Sequence, residues 1–300
     1  MTARRYRQLD VFADRPGAGN PLAVVLDGDG LDDATMQAIA RWTRLPETTF
    51  VSPPSTPEAS YCLRIFSPRR EVPFAGHPSV GTAHAVLDAG LATSRDGLLV
   101  QEGIAGLLPL RVHGDGVART IAVRTPHARV LEVASVDDPR LRDALRGLAA
   151  GSIDAGTRSD ALPPALVEGG RRWWLVEAAD EAQLRAATPD WDAIAQLAHA
   201  TDSMGVCAFA RSDDPVYYLA VRAFVGAPAP FEDAASGAAN ATLAAWLAAR
   251  GALPGSGGFY RVSQGREVGF DAIIELDVDA AGDVWSGGRA CNIVAGHIVW

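Results

Sequence analysis

Asp32-Asp33-Ala34-Thr35-Met36-Gln37-Ala38-Ile39-Ala40 runs into the apolar Thr49-Phe50-Val51, and the same pattern returns in Asp190-Trp191-Asp192-Ala193-Ile194-Ala195-Gln196-Leu197 leading to Val206-Cys207-Ala208-Phe209. Ile39 matches Leu197 at an offset of 158, and Arg64-Ile65-Phe66 matches Arg222-Ala223-Phe224 at the same offset. Both halves then turn through a Gly/Pro loop into a helix of small residues. Ser79-Val80-Gly81-Thr82-Ala83-His84-Ala85 stands against Ala235-Ser236-Gly237-Ala238-Ala239-Asn240-Ala241, with Gly81 read onto Gly237 at an offset of 156. A glycine, Gly90 or Gly251, stops each helix, and a strand follows near Glu102-Gly103 and Gln264-Gly265. Three matched elements in one order indicate an internal duplication.

The two small-residue helices are apolar around nearly every face, which belongs inside a fold. Leu98-Leu99-Val100 and Ile273-Ile274-Glu275-Leu276 read as sheet. The expected architecture is α+β: two pseudo-symmetric domains, each a curved, mostly antiparallel sheet wrapped around a central helix. Residues 1–124 with 287–300 form the expected N-terminal domain, carrying Glu47 and His77, and 125–286 the C-terminal domain, carrying Asp233. Thr125-Pro126-His127 reads as the crossover, while Pro139, Gly147, Gly151 and Gly156 mark an irregular insertion. The closing run from Ala290 to Trp300 reads as a strand returning to the first domain.

Three hundred residues, 48% apolar and 21% charged, suit a globular chain with a large core. A formal charge of -9, with 27 scattered Lys and Arg, disfavours nucleic acid and anionic lipid as partners. Gln8, Asp10 and Asp14 interrupt the apolar stretch a signal peptide needs, and no segment reaches the roughly 20 apolar residues of a membrane-spanning helix. Cys62, Cys207 and Cys291 are odd in number and far apart, which fits buried thiols in a reducing compartment better than disulfides. A cytoplasmic location is expected. The six histidines show no metal-ligand spacing, so no metal is expected. Gly17-Ala18-Gly19-Asn20-Pro21 lacks the third glycine of a nucleotide loop and reads as a turn.

Chemistry is expected where the duplicated halves face each other. Free N–H groups at a helix N-terminus attract anions, so the loops Val72-Pro73-Phe74-Ala75-Gly76-His77-Pro78-Ser79 and Gly226 to Gly237 are candidates to grip a carboxylate. His77 and Asp233 stand near corresponding positions, each just ahead of its helix. Glu47, in Leu45-Pro46-Glu47-Thr48-Thr49-Phe50, has Gly205 as its counterpart, so one half supplies a carboxylate that the other lacks. A single carboxylate suits removal of a proton and its return on the same face, and burial would bring its pKa toward that of a general base. The plainer readings are a solvated loop residue for Glu47, a helix-entry residue for His77 and a helix cap for Asp233.

These residues lie in signatures that resemble the PhzF-like phenazine-biosynthesis isomerases, which share the diaminopimelate epimerase fold. The signatures are Asp10-Val11-Phe12, Gly19-Asn20-Pro21-Leu22-Ala23-Val24-Val25, Leu45 to Val51, Phe74 to Gly81, Glu232-Asp233 with Ser236-Gly237, Ser263-Gln264-Gly265 and Gly287-Gly288-Arg289-Ala290. The resemblance implies an enzyme without a cofactor, assembled as a homodimer, with its site between two similar domains. It implies that Glu47 shuttles a proton between carbons of a dihydro-hydroxyanthranilate, helped by His77 and Asp233, while Gly76, Ser236, Gly237 and Gln264 bind the small carboxylate substrate. Related epimerases place two cysteines at the helix entrances, where this chain has Ala75-Gly76-His77 and Asp233-Ala234-Ala235. It also departs from the family at Ala238, which lacks a hydroxyl, and at Val268-Gly269-Phe270, which puts the phenazine substrate in question. An amino-acid epimerase or racemase, or a binding protein of the same fold, are the alternative readings.

Overall fold

The computed structural model describes residues 1–135, 137–146, 161–255 and 257–300, and it divides into unit 1, Met1–Arg124 with Gly287–Trp300, and unit 2, Thr125–Ser286. Unit 1 runs β1 (Ala3–Val11), β2 (Asn20–Val25), α1 (Asp33–Thr43), β3 (Glu47–Ser52), β4 (Tyr61–Phe66), β5 (Glu71–Val72), α2 (Gly76–Asp88), β6 (Leu98–Gly103), β7 (Gly106–His113) and β8 (Thr120–Arg124). The chain continues through β9 (Arg129–Val133), α3 (Pro139–Arg146), β10 (Ala165–Glu168), β11 (Arg172–Glu177), α4 (Glu181–Ala186), α5 (Trp191–Thr201), β12 (Gly205–Arg211), β13 (Leu219–Val225), β14 (Phe231–Asp233), α6 (Gly237–Ala249), β15 (Phe259–Gln264), β16 (Ala272–Val278) and β17 (Val284–Gly288). Last comes β18 (Ala290–Val299), which pairs antiparallel with β1.

Both units are mostly antiparallel, with parallel joins at equivalent places: β2 with β3 and β4 with β6 in unit 1, β11 with β12 and β13 with β15 in unit 2. A parallel join needs a crossover, usually a helix. Here α1 and α2 supply it in unit 1, and α5 and α6 are among the crossovers of unit 2. The peripheral helices begin as their sequences direct, since Asp32 accepts from Thr35 N and Asp190 from Ala193 N. In α2, all the residues from Gly76 to Val86 are buried, and the helix packs on β1, β2, β3, β8 and β18. Gly81 is what permits that approach, because a Cβ there would lie 2.6 Å from side-chain carbons of Leu22 and Val11.

The offset of 158 carries α1 onto α5, β3 onto β12 and β4 onto β13. For the central helices the sequence reading needs correction. Both are 13 residues long and begin at Gly76 and Gly237, so their offset is 161 rather than 156. Gly81 therefore corresponds to Thr242, not Gly237, and His77 corresponds to Ala238. Pairing registers agree: Ile65 faces Val72 as Ala223 faces Asp233, so Asp233 corresponds to Val72 and not to His77. Within a run of Gly, Ala and Ser one register looks like another, and the strand leading into the helix is what fixes it. Pro139 opens α3, a position suited to its missing N–H, so that part of the insertion expected to be irregular is helical. Gly147, Gly151 and Gly156 lie outside the described residues.

A shared device fastens the strand before each central helix. Arg64 on β4 donates two hydrogen bonds to Glu71 on β5, 2.6 and 2.7 Å, and lies 5.1 Å over the Phe66 ring. Arg222 on β13 does the same to Glu232 on β14, 2.9 and 2.8 Å, and lies 4.8 Å over Phe224. Among the described residues no helix is long and apolar enough to cross a membrane.

Candidate active site

Glu47 is the first residue of β3, opposite Leu22 in the parallel pairing. The next residues, Thr48 to Val51, are buried, so the strand is held on both faces with the carboxylate at its start. Thr49 ties this strand to the central helix, its hydroxyl 2.8 Å from that of Thr82. Across that tie, His77 Nε2 lies 3.3 Å from Glu47 Oε2, with side-chain exposures of 10% and 20%. The contact lacks hydrogen-bond alignment, and Nε2 is a buried nitrogen without a hydrogen-bond partner. Burial pushes the His77 imidazole down to about 3. A neutral imidazole therefore stands beside a carboxyl group.

Ala75 offers no side-chain cap to α2, and the first turn holds no acidic residue. The N–H groups of Gly76 and His77 have no acceptor within the helix, and Pro78 has no N–H at all. Unpaired donors at the positive end of a helix dipole suit an anion. The duplication explains why only unit 1 carries the carboxylate. Gly205, the counterpart of Glu47, has φ +143°, and a Cβ there would lie 2.0 Å from the Phe224 carbonyl oxygen. No side chain fits at that position.

In unit 2, Asp233 ends β14 and is partly buried. Burial raises its carboxyl above the usual range, the adjacent Glu232 charge adds to the rise, and hydrogen bonds from Ala235 N and the Ser236 hydroxyl oppose it. Ser236 caps α6 by accepting from Ala239 N at 3.3 Å. Its own N–H is taken, donating to Gln264 Oε1 at 3.2 Å. Gln264 Nε2 donates to the Asp233 carbonyl at 2.7 Å, and Asn240 Nδ2 donates to Gln264 Oε1 at 2.8 Å and to the Ser236 carbonyl at 2.9 Å. Gln264 and Asn240 are fully buried.

The structure thus brings Glu47, His77 and Gly76 together in unit 1, and Asp233, Ser236, Gly237 and Gln264 together in unit 2. The Gln264 carboxamide is bonded to protein atoms on three sides: Ser236 N, Asn240 Nδ2 and the Asp233 carbonyl. The backbone donor of Ser236 is likewise engaged, which leaves that of Gly237 at the head of the helix. Sequence reasoning passed over Asn240, although an amide amid Ala and Gly on an all-apolar helix is itself a signal of a buried polar link. It also passed over the Thr49–Thr82 tie. Among the described residues, no group of three His, Cys, Asp or Glu side chains could hold a metal ion.

The profile of a family described as "Phenazine biosynthesis-like protein" matches residues 9–296. The chain is 31% identical over 301 residues to the protein named antisense-enhancing sequence 1 of Schizosaccharomyces pombe, covering 99% of each. It is 31% identical over 280 residues to trans-2,3-dihydro-3-hydroxyanthranilate isomerase of Pseudomonas aeruginosa, covering 93% of this chain and 92% of that one. A PhzF-family phenazine biosynthesis protein of Bacillus anthracis superposes with a TM-score of 0.84 over 100% of both chains, at 22% identity. That likeness speaks to the fold.

Proposed function

We propose, proceeding from the fact that this chain belongs to the phenazine biosynthesis-like protein family and is an isomerase, that Glu47 moves a proton along a small carboxylate-bearing substrate. The observation that carries this reading is the 3.3 Å approach of Glu47 to a buried, neutral His77 at the uncapped end of α2. The Glu47 carboxylate takes a proton from an allylic carbon, the C–H electron pair moves the double bond along, and the same carboxyl returns the proton to the far carbon. The step is redox-neutral and leaves Glu47 as it began. Negative charge developing on the substrate is met by the N–H groups of Gly76 and His77. The neutral His77 lies beside the Glu47 carboxyl, 3.3 Å away, and adds no charge of its own there.

Asp233, held above the usual carboxylate range, serves as a second protonic group, with the Gly237 N–H as a further donor. The named activity of the Pseudomonas relative makes a dihydro-hydroxyanthranilate the first substrate to try. The reading needs no cofactor and takes the working form to be a cytoplasmic homodimer. The free thiols Cys62, Cys207 and Cys291 support a reducing compartment, and sedimentation in solution tests the dimer.

The experiment is proton–deuteron exchange by NMR in heavy water, with dihydro-hydroxyanthranilate and a panel of cyclic and amino-acid carboxylates, run beside Glu47→Gln. A shifted double bond in the wild type, with deuterium at the new position where the Glu47 carboxyl exchanges with solvent before returning its proton, is expected, and both are lost in the variant. Turnover by Glu47→Gln at the wild-type rate would sink the assignment. A second reading, epimerisation with Glu47 and Asp233 as the two protonic groups, draws support from the raised Asp233 carboxyl. Chiral chromatography separates it by inversion at a single stereocentre.

A further inference from the structure

Two carboxamides are buried together behind the Asp233 turn, and burying such groups is unfavourable unless they are bonded. Gln264 holds three bonds there: Oε1 accepts from Ser236 N and from Asn240 Nδ2, and Nε2 donates to the Asp233 carbonyl. Asn240 adds a bond to the Ser236 carbonyl, while its own Oδ1 is buried without a partner. Together they fasten both ends of the four-residue turn from Asp233 to Ser236.

The fold does not require this. In unit 1 the matching turn also leads into a 13-residue buried helix, yet the counterparts of Gln264, Ser236 and Asn240 at the offset of 161 are Gly103, Ala75 and Ser79. There the Ser79 hydroxyl reaches only the Ala75 carbonyl, 3.0 Å away. The same architecture closes over one turn with two linked carboxamides bonded to its backbone and over the other with a single hydroxyl, so the extra bonds serve something other than closure. Within the turn itself, the polar side chains that its twin lacks are the Asp233 carboxylate, which corresponds to Val72, and the Ser236 hydroxyl, which corresponds to Ala75 and caps α6.

We infer that Gln264 and Asn240 form a positioning clamp, which fixes the Asp233 carboxyl and the head of α6 without touching substrate. The inference rests on the reading of Asp233 as a protonic group. Gln264→Leu removes all three carboxamide bonds, and Asn240→Ala removes only the two from Nδ2. Each is prepared as the full chain and checked for cooperative unfolding.

Two readouts are taken. The first needs no substrate: amide hydrogen exchange at Ser236, expected to quicken about 100-fold in Gln264→Leu and about 10-fold in Asn240→Ala as the protecting bonds open. The second is the kinetic split in the heavy-water assay. A group acting only as the transition state forms lowers kcat with little change in KM, so kcat is expected to fall about 30-fold in Gln264→Leu with KM within about threefold. The double variant is expected to be little worse than Gln264→Leu, because the two residues act as one unit. A raised KM at unchanged kcat would make Gln264 a substrate contact and overturn the clamp. So would wild-type protection at Ser236 in both variants. Full activity of Glu47→Gln would instead overturn the proton-shuttle reading, with the Ser236 amide still deciding the clamp. If Gln264→Leu fails to fold, Asn240→Ala carries both readouts in the same directions.

Discussion

His77 ties the site's chemistry to the stability of the protein. Its native imidazole sits at about 3, against an ordinary value of 6.5, because burial disfavours the charged form. The unfolded chain therefore binds a proton that the native chain refuses. Stability contributed by the neutral buried ring is complete above 6.5 and is lost as pH falls through the window down to 3. At pH 5 the loss is about 2 kcal/mol from this one group. Urea unfolding at pH 7.5 and pH 5 is expected to give a smaller acid penalty for His77→Asn than for the wild type by about that amount. An unchanged acid slope would show that the ring is not held neutral. At this scale the sequence nominated Glu47 and His77 as candidates and did not show how they meet. Glu47 and His77 stand 30 positions apart, and the packing of α2 on β3, with the Thr49–Thr82 tie, brings their elements together. Gln264 was legible as a site-associated amide, but its partners lie on another element and could not be read.

At the scale of elements, the paired arginines test how burial sets the worth of an ion pair. Arg222 and Glu232 have side-chain exposures of 5% and 4%, and Arg64 and Glu71 of 28% and 24%, in the same bidentate geometry. Removing one partner of a buried pair leaves an uncompensated charge, at about 3–5 kcal/mol, whereas a water-screened pair contributes about 1 kcal/mol or less. Arg222 also donates to the Leu184 and Ala187 carbonyls, which fastens α4. Arg222→Met is expected to destabilise far more than Arg64→Met in urea titrations, and equal losses would refute the burial argument. Gly81 offers a second test with competing signs. Alanine is the better helix former by about 1 kcal/mol, but its Cβ would press on Leu22 and Val11, both fully buried. Overpacking costs about 1–3 kcal/mol, so Gly81→Ala should lower Tm. The helices themselves were legible from their small residues and terminal glycines. Their register was not, because small residues carry no marker of phase.

At the scale of the molecule, duplication is the feature most plainly written in the chain. The offset of 158 holds from α1 to β4 because matched strands must keep their inward face, and it becomes 161 at the central helices. What duplication leaves open is the fate of the proton, since this architecture can carry two opposed acids or a single shuttle. The thiols bear on that choice. Cys62, Cys207 and Cys291 lie on β4, β12 and β18, away from the starts of α2 and α6, and burial pushes the Cys207 thiol up to about 12. None is disposed as a base beside a helix entrance. A variant with the half-buried Cys62 and Cys291 changed to Ser should keep its exchange activity within about twofold, as near-isosteric substitutions outside the reacting groups usually do. Collapse of activity in that variant would point to thiol chemistry. If a single carboxylate on one face does the work, the product formed in heavy water carries at most one deuteron at the new position, retains substrate protium there to the extent that transfer outruns exchange of the Glu47 carboxyl with solvent, and unreacted substrate keeps its configuration. If two groups on opposite faces do it, deuterium enters with inversion at the original carbon. Counting deuterons and reading configuration in one sample therefore decides between a shuttle at Glu47 and a pair formed with Asp233.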